Sequence, residues 1–210
     1  MRKYFFILLM SSFAFQNAGA QDSAPNILFF GESITAGYGI GENNAFPALI
    51  NKKIDSLDWN YTVQNGGLSG ETSAGGLRRI DWMIQNKVDV FILELGGNDG
   101  LRGISAESTR KNLQQIIDKV RKKYPRSSIL ITGMQVPPNL GSEYTQNFKD
   151  IYPSLAEEND ISLIPLLLDD VGRESALMQA DGIHPTAEGH QLIANKIWDT
   201  LKPILKEQKN

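Results

Sequence analysis

Four short stretches spread along the 210-residue chain carry side chains suited to acyl transfer: Gly31-Glu32-Ser33, NGGLSGETS (Asn65–Ser73), ELGGND (Glu94–Asp99) and DGIHP (Asp181–Pro185). Hydrolysis of an ester calls for a nucleophile, a base to take its proton, a group to orient the base, and donors for the oxyanion. Ser33 offers the hydroxyl, and His184 is one of only two histidines available as the base. Asp181 precedes His184 by three residues with Gly182 between them, a spacing that lets a turn fold the carboxylate back onto Nδ1. Pro185 holds His184 to extended backbone and so limits where the imidazole points. Asn98 can present a side-chain amide to a developing oxyanion, Gly96 and Gly97 permit close backbone approach, and Gly70 offers an unobstructed backbone N–H. The other histidine, His190, falls within an expected helix at a position read as surface.

Each stretch also has a plainer reading. Ser33 can cap the next helix, DGIHP is made of common turn residues, and GGND can be a glycine turn with a capping Asn or Asp. Other chemistries fit less well. GYGIG (Gly37–Gly41) lacks the spacing of a dinucleotide loop, and no Gly-x-x-x-x-Gly-Lys phosphate loop occurs. The serine sits in Gly31-Glu32-Ser33-Ile34-Thr35 rather than in the Gly-x-Ser-x-Gly of α/β-hydrolases. A metal set of Asp181, His184, Glu188 and His190 is split by an expected helix start, and acyl transfer accounts for two of its members. Neither a metal nor a cofactor is expected.

The elements that must position these residues alternate along the chain. Apolar runs at Ile27–Gly31, Tyr61–Asn65, Val88–Leu95, Ser128–Met134 and Ile161–Leu168 predict five parallel strands in a three-layer α/β/α sandwich. The first run lacks polar alternation, which suits a strand covered on both faces. A helix is expected over Ser105–Lys123, from the capping Ser105 and the apolar stripe Leu113, Ile116, Ile117 and Val120. Its cluster Lys119, Arg121, Lys122 and Lys123 reads as a solvated last turn favoured by the helix dipole. A final helix is expected over Pro185–Leu205. A parallel sheet brings the ends of its first three strands to one edge, where open α/β sheets bind ligands and where the turn before the last helix can join them.

The first 20 residues combine Arg2 and Lys3, an apolar stretch from Tyr4 to Phe15 and a terminal Ala18-Gly19-Ala20, the pattern of a secretory signal peptide. That stretch is shorter than the roughly 20 residues that span a bilayer, so no stable membrane anchor is expected. With no cysteine anywhere, a lipidated N-terminus, disulfides and thiolate chemistry are not expected either. Residues 21–210 carry 19 basic against 24 acidic residues, a formal charge of −5 that suits neither nucleic acid nor an anionic membrane surface. They fit one domain, located in the periplasm or secreted.

Taken together, Gly31-Glu32-Ser33, SGETSAGGLRR, LELGGNDGLRG and DGIHP resemble the four ordered blocks of the SGNH (GDSL) hydrolases, from Asn26 to about Leu205. The likeness is to their bacterial arylesterase, thioesterase and lysophospholipase group. It implies a flavodoxin-like sheet order, with Ser33 as nucleophile, His184 as base and Asp181 as the orienting carboxylate. It also implies an oxyanion hole from the Ser33 and Gly70 backbone amides and the Asn98 side chain. The implied substrates are small-molecule carboxylic esters or thioesters, with aryl or short-to-medium acyl groups, or lysolipids. One position departs from the pattern, because the family's usual aspartate before the serine is Glu32 here. A carbohydrate O-deacetylase on the same fold would use the same residues, and a secreted binding module would retain the fold without turnover. The loops around residues 35–44, 99–104 and 136–147 are expected to set acyl preference, with Leu101, Met134 and Leu140 as candidate apolar lining.

Overall fold

A computed structural model describes residues 24–136 and 138–209, so the expected leader of residues 1–20 lies outside the described residues. Strands β1 (Asn26–Gly31), β2 (Thr62–Gly67), β3 (Val90–Glu94), β4 (Ser128–Thr132) and β5 (Ser162–Ile164) form one sheet in the order β2-β1-β3-β4-β5, every neighbouring pair parallel. The helices are α1 (Ser33–Ala36), α2 (Phe46–Asp55), α3 (Ser73–Met83), α4 (Gly97–Leu101), α5 (Ala106–Lys123), α6 (Ser142–Asn159) and α7 (Ala187–Lys209).

Alternation along the strands divides the apolar side chains into two cores. Leu28 and Phe30 of β1 and Phe91 and Leu93 of β3 face α3, α5 and α6, meeting Ile80, Ile116 and Leu155. Ile27, Phe29, Val90 and Ile92 point the other way, onto Phe46 and Ile50 of α2 and Ile193, Ile197 and Leu201 of α7. The three-layer sandwich read from the apolar runs is therefore the fold.

Several boundaries differ from the sequence reading, for local reasons. The apolar run after Ile161 yields only a three-residue edge strand, because the chain turns at Leu166 (φ 20°) and buries Leu167 in the core beneath α7. β2 begins one residue late, since Tyr61 buries its ring on the α7 side and donates its hydroxyl to the Leu205 carbonyl at 2.7 Å. It then runs on through Gly66 and Gly67; a Cβ at Gly67 would come within 2.2 Å of the Ala36 nitrogen, so glycine lets α1 close against β2. The last helix starts at Ala187 because Pro185 first bridges Met178 and Thr186 donates its N–H to Leu177.

His190 is a correction. It is buried, its Nδ1 accepting from the Phe46 N–H at 3.1 Å while its ring stacks on Phe46. Its spacing to Ile193, Ile197 and Leu201 puts it on the buried stripe of α7, whereas Leu192 is exposed. The basic end of α5 is also less free than expected: Lys119 pairs with Asp81 on α3 and Arg121 donates to the Asn159 carbonyl.

Candidate active site

The chain leaves β1 at Gly31 because a larger residue would not fit there: a Cβ would sit 2.1 Å from Thr35 Oγ1 and 2.6 Å from the Glu94 carbonyl. The turn that follows puts Ser33 at the first position of α1, with Glu32 as the preceding residue and no side-chain cap. Ser33 is therefore not a capping serine. Its Oγ lies 2.9 Å from His184 Nε2, and His184 Nδ1 lies 2.7 Å from Asp181 Oδ2. Residues 151 positions apart are thus in hydrogen-bond contact at the carboxyl edge of the sheet.

The DGIHP turn explains how this geometry is held. Asp181 Oδ1 accepts from the backbone N–H of Ile183 (2.9 Å) and His184 (3.0 Å), while Gly182 takes the left-handed conformation (φ 68°) that the tight turn demands. The His184 N–H and ring, with the Ile183 N–H, pull the Asp181 carboxyl down to about 2. Gln179, which carries no motif signal in the sequence, ties this turn to the segment after Ser33. Its Nε2 donates to the carbonyls of Tyr38 (2.7 Å) and Pro185 (2.9 Å), and its own N–H donates to the His184 carbonyl at 2.7 Å. The Tyr38 ring lies 4.5 Å from the imidazole, centroid to centroid.

The expected oxyanion donors stand at the ends of β1, β2 and β3. The N–H groups of Ser33 and Gly70 have no acceptor among the described residues. Gly70 (φ 80°) lies in an exposed loop whose next residue, Glu71, makes a buried bidentate ion pair with Arg79. Asn98 is the second residue of α4, and its Nδ2 donates to Glu32 Oε2 at 3.0 Å, which leaves one amide hydrogen uncommitted. Arg102 Nη2 donates to the Gly70 carbonyl at 3.0 Å and lies 3.5 Å from Asn98 Oδ1, so one side chain spans two of the expected donors. α4 is itself tied to α3 and α5: Asp99 accepts from the Ser73 N–H (2.7 Å), Ser73 Oγ (2.5 Å) and Thr109 Oγ1 (3.2 Å).

Two buried carboxyls lie beneath the turn that carries Ser33. Glu32 Oε2 accepts from the backbone N–H of Asn98 (3.2 Å) as well as from its side chain. Glu94 Oε2 accepts from the N–H groups of Glu32 (3.2 Å) and Thr35 (3.1 Å) and from Thr35 Oγ1 (2.6 Å). Burial pushes the Glu32 carboxyl up to about 7; burial, together with the charge of Glu32, pushes Glu94 up to about 8. A charged residue closing the otherwise apolar run Val90–Glu94 was the sequence signal for Glu94.

Exposed apolar side chains occur on the segments that follow each strand: Tyr38 after β1, Leu68 after β2, Leu101 after β3, Leu140 after β4 and Ile183 after β5, with the Tyr38 ring against His184. Of the three residues expected to line an acyl groove, Leu101 and Leu140 are exposed, while Met134 is buried in the core under α4. Among the described residues no cluster of three His, Cys, Asp or Glu side chains could hold a metal.

Residues 29–192 match the GDSL-like Lipase/Acylhydrolase family. The chain is 36% identical over 200 residues to esterase TesA of Pseudomonas aeruginosa, covering 95% of this chain and 98% of that protein. It is 36% identical over 184 residues to thioesterase 1/protease 1/lysophospholipase L1 of Escherichia coli K12, covering 87% of this chain and 86% of that protein. The crystal structure of the psychrotrophic esterase EstA from Pseudoalteromonas sp., inhibited by monoethylphosphonate, is similar with a TM-score of 0.81 at 30% identity, covering 86% of this chain and 98% of that one.

Proposed function

The chain belongs to the GDSL-like lipase/acylhydrolase family, and we propose that it hydrolyses carboxylic esters and thioesters through an acyl-enzyme on Ser33. It is a hydrolase of ester bonds, of the esterase, thioesterase and lysophospholipase kind. The observation that carries the serine mechanism is the chain of contacts from Ser33 Oγ through His184 to Asp181, at 2.9 Å and 2.7 Å.

In this reading Ser33 Oγ attacks the acyl carbonyl carbon while His184 Nε2 takes its proton. The carbonyl π electrons move onto oxygen, where the Ser33 and Gly70 N–H groups and the Asn98 amide meet the charge. Asp181, ionised, stabilises the imidazolium. Collapse of the tetrahedral species expels the alcohol or thiol, which leaves with the proton returned by His184. Water repeats the attack, the carboxylic acid departs and Ser33 is restored.

The exposed apolar side chains on the segments after the strand ends, Tyr38, Leu68, Leu101, Leu140 and Ile183, favour acyl or aryl groups, lysolipids among them, over an acetylated sugar. Given the leader read in residues 1–20, the enzyme works in the periplasm or the medium after cleavage near Ala20. No helix among the described residues is long and apolar enough to cross a membrane.

The test is hydrolysis of p-nitrophenyl esters from acetate to decanoate by residues 21–210, beside Ser33→Ala. Turnover on the longer chains that drops at least about 10³-fold in a folded Ser33→Ala protein is the expected result. Turnover confined to acetate would favour the O-deacetylase reading. A folded protein inert on every ester, or near-normal activity without Ser33, would overturn the proposal.

A further inference from the structure

The mechanism above uses Ser33, His184, Asp181 and three amide donors, and leaves Glu32 and Glu94 without a role. Both are almost completely buried, yet neither faces a cation among their hydrogen-bond partners. Glu94 Oε2 gathers three donors, while Oε1 is buried with no partner among the described residues. A carboxylate oxygen bare of donors is costly away from water, so Oε1 is where this pair most readily holds a proton. Glu32, by contrast, accepts at Oε2 from the Asn98 backbone N–H and from one Nδ2 hydrogen of its side chain. The groups facing the pair from neighbouring elements are Thr35 of α1, Asp99 of α4 and Tyr152 of α6, whose hydroxyl donates to the Leu95 carbonyl at 3.2 Å.

Resting on the esterase reading, we infer that Glu32 and Glu94 act as a carboxyl pair that positions the Asn98 amide and keeps one proton behind the oxyanion hole. By taking one Nδ2 hydrogen, Glu32 orients the carboxamide so that the second hydrogen is presented to substrate. By holding the proton, Glu94 limits the charge behind that amide to a single negative charge. Glu32 and Glu94 are positioning residues, acting through Asn98. Burial raises both carboxyls, which keeps that proton bound at neutral pH. When the pair loses its last proton, a second negative charge opposes the one developing on the substrate oxygen, and kcat falls on the order of tenfold.

The test compares kcat and KM from pH 6 to 9.5 on one p-nitrophenyl ester for the native protein, Glu94→Gln, Glu32→Ala and Glu32→Gln. Native kcat is expected to fall above about pH 8, where Glu94 ionises. Glu94→Gln, which mimics the protonated carboxyl, should hold its plateau. Glu32→Ala should lose about tenfold to a hundredfold in kcat with little change in KM, and Glu32→Gln, which keeps an acceptor for Asn98, should recover most of it. A second measurement is independent of turnover: in Ser33→Ala protein the Asn98 side-chain amide resonances should shift between pH 6 and 9, and stop shifting when both carboxyls are glutamine. Native-like pH profiles in Glu94→Gln, unimpaired kcat in Glu32→Ala, or a pH-invariant Asn98 amide would overturn the inference. Activity that survives Ser33→Ala would instead show that the esterase reading had failed first.

Discussion

An ionised carboxylate can only accept, so the 2.7 Å contact between Asp181 and His184 requires the proton on Nδ1 and leaves Nε2 to accept from Ser33. Two further contacts help to keep that carboxylate ionised: the N–H groups of Ile183 and His184, together with the imidazole, hold it near 2, so acidification to pH 5 does not protonate it. Asp181→Asn turns an acceptor into a group whose amide can donate to Nδ1, selecting the wrong tautomer. We expect kcat on a p-nitrophenyl ester to fall by about 10³–10⁴ while the circular dichroism spectrum is unchanged. Loss of less than tenfold would mean that the backbone turn alone orients His184. At this scale the residue types and their spacing were legible: Asp181, Gly182 and His184 form the turn their order suggested. Gln179 was not, because a glutamine two residues before a turn carries no periodic or motif signal, and its importance comes from contacts across 141 positions.

Among the elements, the Ser33 segment after β1 and the histidine turn before α7 meet through the Ser33–His184 contact, the Tyr38 ring and the Gln179 side chain. A Cβ at Gly39 would fall 2.2 Å from Gln179 Oε1, so glycine there leaves the room that the Gln179 side chain occupies. Gln179→Ala removes both N–H bonds, to Tyr38 and Pro185, and frees the His184 turn to drift relative to Ser33. Because small misplacements of reacting groups are amplified in rate, kcat should drop by about tenfold to a hundredfold with KM little changed. Equal kcat in the variant would show that the Tyr38 ring and the Asp181 turn suffice. The strand ends were the least legible part of the fold. Leu166 to Leu168 are as apolar as any strand, yet Pro165 after Ile164 has no N–H to give the ladder, and Leu167 is buried in the α7 core instead.

For the whole molecule, buried titratable groups make stability depend on pH in opposing senses. Burial lowers His190 to about 4 from its ordinary 6.5, so its contribution is complete above about pH 6.5 and is lost as the pH falls toward 4. Glu32 and Glu94 are raised from 4.5 to about 7 and 8, so their contributions are complete below about pH 4.5 and are lost as the pH rises through 7 and 8. Of these three groups only the carboxyl pair titrates between about pH 6.5 and 8. The urea midpoint is therefore expected to drift downward over that interval, and Glu94→Gln should remove most of the drift. His190→Asn, which retains an acceptor for the Phe46 N–H, should flatten the acid side instead. A midpoint that rises from pH 6.5 to 8 would contradict the assignment of the pair.

What the amino-acid order determined by itself is the part governed by local periodicity and short-range turn chemistry. Apolar runs separated by amphipathic helices dictate a parallel sheet with both faces covered, and parallel connection carries the ends of β1, β2 and β3 to the same edge. The DGIHP turn likewise needs only local hydrogen bonds and one glycine with positive φ. Tertiary structure alone decided which neighbours each polar group meets. It moved His190 from an expected surface into a stack on Phe46, and it turned Ser33 from a possible cap toward His184. It also buried Glu32 and Glu94 together under the turn that carries Ser33. The physical reason is that burial and hydrogen-bond partners at separations of 59 to 151 residues follow from how the layers close, and no window along the chain encodes that closure.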